Sequence, residues 1–277
     1  MHNIIQGNCL EVLKTLPNES VQCAITSPPY FSMKDYENED QIGLEKTSKE
    51  FIGKLVNVFQ EVKRVLRDDG TLWLNLGDCF SGSGGYSPNS PSNLAGSLQS
   101  GARGNLAKSR PAIEYPAKNL MGIPWMTAFA LRDDGWILRC DCIWKKNNCS
   151  PEKVFDRPTR IHEYVFLFSK SKKYYYDYEA VMEDAVTGGK RNRRSVWEIN
   201  NQRVKGAHTA VFPEKLVEVC LLASSKNGDT VLDPFCGSGT TGVVAKKNGR
   251  EFIGIDLNAE YCELAKNRLS ATTQIHH

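Results

Sequence analysis

The stretch from 229 to 269 constrains the fold more than any other part of the sequence. Asp229-Thr230-Val231-Leu232-Asp233 reads as a short buried strand, Pro234-Phe235-Cys236-Gly237-Ser238-Gly239 as a turn, and Thr240 to Lys247 as a helix. Glu251-Phe252-Ile253-Gly254-Ile255-Asp256 then reads as a second strand, and Ala259 to Leu269 as a second helix. Strand, helix, strand and helix with short connections make a βαβ unit, which requires a parallel sheet with helices packed against it. At 277 residues and 40% hydrophobic content, the chain can bury a core for one large α/β domain with insertions, or for two small ones.

The same unit reads as a ligand site. Gly237 and Gly239 let the backbone approach a ligand at the carboxyl end of a strand. Asp256 ends the next strand, close to the spacing of about 20 residues at which an acid meets ribose hydroxyls. Neither G-x-G-x-x-G nor G-x-x-x-x-G-K-[ST] is present. Asp233 stands at the mouth of the turn with no adjacent Lys or Arg. An acid there repels phosphates and suits a sulfonium or an ammonium, which favours S-adenosylmethionine over NAD or ATP. A purely structural βα turn is the alternative.

A second motif stands near the other end of the chain. Val21-Gln22-Cys23-Ala24-Ile25 reads as a buried strand, and Thr26-Ser27-Pro28-Pro29-Tyr30 follows it. The two prolines stop the strand and stiffen the loop. They lack N–H groups, so their surroundings are rich in bare carbonyl acceptors. A hydroxyl, rigid carbonyls and an aromatic face at one strand end suit a planar group that carries an exocyclic amine. Alone, the proline pair would equally make a stiff turn.

Further strands are expected at 3–6, 71–76, 136–144 and 161–168, which gives seven with 21–25, 229–233 and 251–255. Phe51, Leu55, Val58, Phe59, Val62 and Leu66 recur at helical spacing and predict a helix over roughly 48–67, closed by Asp68-Asp69-Gly70. Helices are also expected around Leu10–Leu16, over 122–132 and from Glu214 to Leu222. The Ser-, Gly-, Asn- and Pro-rich segment 80–117 predicts a mobile loop insertion, made positive by Arg103, Lys108 and Arg110. Residues 183–207 read as a weakly structured basic stretch.

A net charge of +3 does not announce nucleic acid. Its distribution says more. Lys190-Arg191-Asn192-Arg193-Arg194, followed by Arg203 and Lys205, forms one cluster. Lys145-Lys146, Lys153, Arg157 and Arg160 form another. Each cluster alone could be a solvated loop; two of them beside a candidate site favour a phosphate-binding surface. The nine cysteines include no C-x-x-C, and their odd number argues against a disulfide framework, as expected of a reducing cytoplasm. No metal site is expected. No apolar run reaches the roughly 18 residues of a membrane span, and the first residues do not read as a secretory signal.

Together the motifs resemble the β-group DNA amino-methyltransferases. Asp233-Pro234-Phe235-Cys236-Gly237-Ser238-Gly239-Thr240-Thr241 is similar to that family's cofactor motif, and Thr26-Ser27-Pro28-Pro29-Tyr30 to its catalytic motif. In this group the catalytic motif comes first, as here. Ile5 to Leu10, the hairpin region from Asp133-Asp134-Gly135-Trp136 through Phe155–Tyr164, and His208–Leu216 extend the resemblance over most of the chain. One departure is Asn8, where the family often has Asp.

The resemblance implies a Rossmann-like α/β fold. Its seven-stranded, mostly parallel methyltransferase sheet would be circularly permuted, in a single domain over 1–277. Segments 145–160 and 183–207 become candidate target-recognition segments, with Lys145, Lys146, Arg157, Arg191, Arg193 and Arg194 on DNA. The implied reaction moves a methyl group from S-adenosyl-L-methionine to the N4 amine of a flipped cytosine in duplex DNA. The N6 amine of adenine is the alternative, and an RNA or protein amide a more distant one. Ser27 Oγ and the Pro28 carbonyl would accept the amine N–H groups, with Pro29 holding the loop, and Tyr30 would stack on the base. Asp256 would hold the ribose, while Asp233, Phe235, Cys236, Gly237, Ser238, Gly239, His208 and Phe212 would line the cofactor site. A cognate restriction endonuclease is a further candidate partner.

Overall fold

The computed structural model describes residues 2–33, 35, 38–82, 114–149, 152, 154–202 and 212–273. In chain order these form β1 (His2–Gln6), α1 (Cys9–Thr15), β2 (Val21–Thr26), α2 (Ser48–Val65), β3 (Leu66–Leu76), α3 (Ile123–Asp133), β4 (Ile137–Lys145) and β5 (His162–Ser169). There follow β6 (Glu183–Asp184), β7 (Lys190–Arg191), β8 (Val196–Glu198), α4 (Glu214–Ser224), β9 (Thr230–Asp233), α5 (Thr240–Lys247), β10 (Glu251–Asp256) and α6 (Ala259–Ala271). No described helix is long and apolar enough to cross a membrane.

One sheet runs in the order β1-β10-β9-β2-β3-β5-β4-β8. All neighbouring pairs are parallel except those made by β5, which runs antiparallel to both β3 and β4. Helices cover both faces, as a mostly parallel sheet requires. On one face, Leu13 of α1, Phe51, Leu55, Phe59 and Val62 of α2 and Leu131 of α3 are fully buried. On the other, Leu216 and Leu221 of α4, Ala245 of α5 and Ala265 of α6 close the second core layer.

All seven expected strands are present, with two differences around them. The first is at Asp68-Asp69-Gly70, which does not cap α2. That helix ends at Val65, and the acids lie inside β3. The register between β2 and β3 jumps there, from Val21↔Leu66 to Cys23↔Thr71, so the extra residues bulge out of the ladder. A Cβ on Gly70 would stand 2.8 Å from the Arg67 carbonyl oxygen, so glycine is what lets the chain fold back.

The second difference lies in the segment expected to be weakly structured. Residues 183–191 make a small antiparallel hairpin, β6–β7, and β8 adds an eighth strand beside β4. Trp197 anchors β8. Its ring centroid is 5.8 Å from that of Trp73, and its indole N–H donates to the Arg194 carbonyl at 2.8 Å. Residues 203–207 lie outside the described residues, as do 83–113 of the predicted loop insertion.

Candidate active site

Strands β2 and β9 are parallel neighbours, paired at Cys23↔Val231 and Ala24↔Leu232. From β9 the chain continues to β10 on one side, and from β2 it continues to β3 on the other. The order of the sheet reverses between them, and ligands of open α/β sheets bind outside the carboxyl ends of strands at such a point. The two loops that leave there are Ser27-Pro28-Pro29-Tyr30 and Pro234 to Gly239. Motifs from opposite ends of the sequence therefore meet.

Asp233 holds them together. Thr26 Oγ donates to Asp233 Oδ1 at 2.6 Å, and Thr241 Oγ donates to Asp233 Oδ2 at 2.7 Å. The Phe235 N–H adds a third bond, to Oδ1, at 3.1 Å. The carboxylate is buried, and burial pushes its pKa up to about 6 despite these donors. Its described contacts turn it into a cross-link between β2, β9 and α5. Asp256, half-buried at the end of β10, accepts from Gly237 N–H at 2.8 Å and from Asn258 N–H at 2.9 Å.

The two loop glycines have different reasons to be glycine. Gly237 sits at φ +49°, and a Cβ there would meet nothing within 4 Å. Gly239 sits at φ +78°, and its Cβ would stand 2.8 Å from Ala265 Cβ on α6. Thus Gly237 faces open space, whereas Gly239 is needed for helix packing rather than for approach to a ligand. Ser238 is also held by α6: Arg268 donates to its carbonyl at 2.6 Å and to its hydroxyl at 2.9 Å. Cys236 is buried, and Phe235 and Phe212 are half-buried against the two cores. His208 lies outside the described residues.

The Ser27 loop is fixed from β3 and β5. Ser27 Oγ donates to Asn75 Oδ1 at 3.1 Å, and Tyr30 Oη is 3.3 Å from the same atom. The Tyr30 hydroxyl donates to Glu163 Oε2 at 2.6 Å. Asn75 Nδ2 donates to Glu163 Oε2 and to the Tyr164 carbonyl, both at 3.1 Å. Glu163 Oε1 in turn takes the Lys146 ammonium in an ion pair that is largely buried. Burial, followed by the nearby Glu163 charge, pushes the Tyr30 phenol well above its ordinary range, so it stays protonated. The ring packs closely on Gly77, where a Cβ would stand 2.6 Å from it.

Other polar residues near the strand ends have local partners. Asp78 accepts from the N–H groups of Gly122 and Ile123, each at 3.1 Å, and so caps α3. Asn8 caps α1 through Leu10 N–H at 3.0 Å. Among the cations assigned to phosphates, Lys146 is turned inward to Glu163 and over the Trp144 ring. Lys145 pairs with Glu198 at 2.6 Å and Arg157 with Glu152 at 2.7 Å. Arg191 and Arg194 share Glu183 at 2.9 Å each, and Arg193 donates to the Val181 carbonyl at 2.9 Å. Arg157 also lies over the Phe80 ring at 4.0 Å. Lys153, Arg203 and Lys205 fall outside the described residues, like the loop residues Arg103, Lys108 and Arg110. Thr26 and Thr241 stand inside the two motifs, but nothing in the sequence assigns them, Asn75, Glu163 or Arg268 to these contacts. Their roles depend on partners far away in the chain.

A family model described as DNA methylase matches residues 21–267. The Type II methyltransferase M.Cfr9I of Citrobacter freundii is 50% identical over 96% of this chain and 87% of its own length. M.SmaI of Serratia marcescens, also a Type II methyltransferase, is 48% identical over 96% of this chain and 90% of its own. Among solved structures, the cytosine-N4-specific PvuII DNA methyltransferase superposes with a TM-score of 0.71 at 22% identity, covering 96% of this chain and 86% of its own. A candidate DNA modification methylase of Thermus thermophilus, complexed with S-adenosyl-L-methionine, gives a TM-score of 0.66 at 25% identity. It covers 98% of this chain and 93% of its own.

Proposed function

The chain belongs to the DNA methylase family, and on that premise we propose that it methylates the N4 amine of a cytosine flipped out of duplex DNA. It is a Type II DNA methyltransferase of the amino-methylating kind, and its cofactor is S-adenosyl-L-methionine. The observation that carries the methyl-transfer proposal is the Thr26–Asp233 bond, which sets the Ser27 loop beside the glycine loop, and Ser27 at the head of that loop is what favours cytosine N4 over adenine N6.

The residues fit the cofactor. Gly237 leaves open space where any other residue would carry a Cβ, and Asp256, which fixes that loop from the end of β10, stands where a ribose would lie. When bound, the cofactor supplies an electrophilic methyl group. The chain's own residues act on the amine. Its lone pair is delocalised into the base ring, so the nitrogen is a poor nucleophile until it is drawn towards sp³ geometry. Ser27 Oγ and the Pro28 carbonyl accept its two N–H bonds, which draws the nitrogen towards sp³ geometry and would leave its lone pair available to the methyl group that the cofactor supplies. Tyr30, held by Glu163 and Gly77, offers its ring to the base. The base must leave the helix stack to reach this pocket, which costs a few kcal/mol.

Incubation with methyl-labelled cofactor and DNA, followed by digestion to nucleosides, is expected to place the label in N4-methylcytosine. Label in N6-methyladenine would move the target to adenine with the same loop chemistry. Label only in RNA or protein would overturn the proposal. Ser27→Ala is expected to lower methyl transfer by roughly 100-fold or more, as loss of a preorganised transition-state contact does. Cofactor affinity, measured by calorimetry, should stay near wild type.

A further inference from the structure

We propose that Asn75, Glu163 and Lys146 act as positioning residues that strip the Ser27 rim of hydrogen-bond donors, so that the pocket accepts amine-bearing bases and rejects their keto counterparts. This rests on the methyl-transfer reading above and adds a specificity device to it.

The network runs inward from Lys146. Its ammonium pairs with Glu163 Oε1, which makes Glu163 an acceptor-only carboxylate. The second oxygen, Oε2, faces Asn75, and so does the Tyr164 carbonyl, which is also acceptor-only. Two acceptors on one side of the Asn75 amide require its NH2 group there, which settles an orientation that is otherwise ambiguous. Asn75 Oδ1 must then face Ser27 and Tyr30. Asn75 is buried, so water does not supply that oxygen with donors in place of the protein.

Ser27 has one hydroxyl hydrogen, and it points to Asn75. What Ser27 turns to the pocket is therefore lone pairs. In the proposed reaction the Pro28 carbonyl is the second acceptor, and Pro28 and Pro29 contribute no N–H. A hydroxyl left to itself could donate as readily as accept. It would then welcome the carbonyl oxygen of a keto base as well as an amine. Held by Asn75, it behaves like the acceptor end of a carboxylate, without the charge. An amine finds two acceptors there, whereas a keto oxygen finds lone pairs against lone pairs and stays unpaired in a buried place.

The test uses a duplex that the wild-type enzyme methylates, and a second duplex in which the target amine is replaced by a keto oxygen and the adjacent ring nitrogen gains its hydrogen (uracil for cytosine, or hypoxanthine for adenine). Affinities for both are measured with S-adenosylhomocysteine present, for wild type, Glu163→Gln and Asn75→Ala. A keto substitution also weakens the base pair and eases flipping, but that effect belongs to the DNA and is common to all three proteins. The readout is therefore the amine-to-keto affinity ratio of each variant relative to wild type. We expect the ratio to fall at least fivefold in both variants, with calorimetric affinity for S-adenosylhomocysteine within twofold of wild type. An unchanged ratio overturns the proposal even if turnover drops, because it would reduce the network to a loop support. Glu163→Gln preserves size and shape, so it decides the matter alone should Asn75→Ala fail to fold. If the wild type methylates no DNA, the broader function fails instead, and the two failures are distinct.

Discussion

Asp233 keeps a carboxylate where there is little water to solvate it. Its pKa, about 6 in the folded protein, lies above the ordinary aspartate value of 3.8. The folded state therefore binds the proton more tightly than the unfolded chain does. The stability this gives is fully present below the unfolded pKa and is lost as pH rises through about 6, by something on the order of 2–3 kcal/mol. Asp233→Asn removes the titration. Losing an acceptor for Thr241 adds a constant penalty, so the informative quantity is the trend. Urea unfolding at pH 4, 5, 6 and 7 is expected to show the variant gaining on wild type as pH rises. A difference that stays flat would place the charge in contact with water. The sequence made Asp233 conspicuous as an acid beside a glycine turn, and its likeness to a cofactor motif was legible. That its oxygens are taken by Thr26 and Thr241 was not, because Thr26 stands 207 positions away.

At the level of elements, the glycine loop separates two effects that sequence spacing merges. Gly237→Ala brings the strain of a left-handed residue, roughly 1–2 kcal/mol, but meets no neighbouring atom. Gly239→Ala adds a collision with Ala265 to similar strain, and overpacking of that kind costs about 1–3 kcal/mol more. Thermal melting should therefore show the larger loss in Gly239→Ala. Calorimetry should show Gly237→Ala losing more cofactor affinity than its modest fall in Tm explains. Equal losses in both assays would place the two glycines in one role. Helices and strands with strong periodicity, such as α2 and the β9–α5–β10 unit, were legible almost residue by residue. The bulge in β3 and the short β8 were not, since each depends on register with a distant strand or on one buried tryptophan. Asn75 and Glu163 escaped for the same reason: they meet only because β3 and β5 pair antiparallel, with Leu76 opposite Tyr164.

Across the whole molecule, the basic clusters are tempered by acids that the sequence places nearby but does not pair. Glu183 holds both Arg191 and Arg194, and the Arg194 pair is exposed enough to exchange readily for a phosphate. Neutralising Arg191, Arg193 and Arg194 together is expected to flatten the salt dependence of DNA binding, by about 0.9 in log–log slope for each phosphate no longer neutralised. Glu183→Gln should do the opposite and tighten binding at low salt. Titrations at several salt concentrations would reveal both, and unchanged slopes would leave the cluster without a role on DNA. One feature of the sheet also governs when the site can exist. β1 is an edge strand whose partner among the described residues is β10, with His2 opposite Phe252. At about 5–20 residues per second, the ribosome delivers that partner some ten to fifty seconds after β1. Until then β1 has no ladder, and Asp256 is not yet there to take the Gly237 N–H. A nascent chain therefore gives the Ser27 loop its Asn75 and Glu163 partners well before β9 and β10 bring the glycine loop beside it, so methyl-transfer competence waits for the cofactor side of the site.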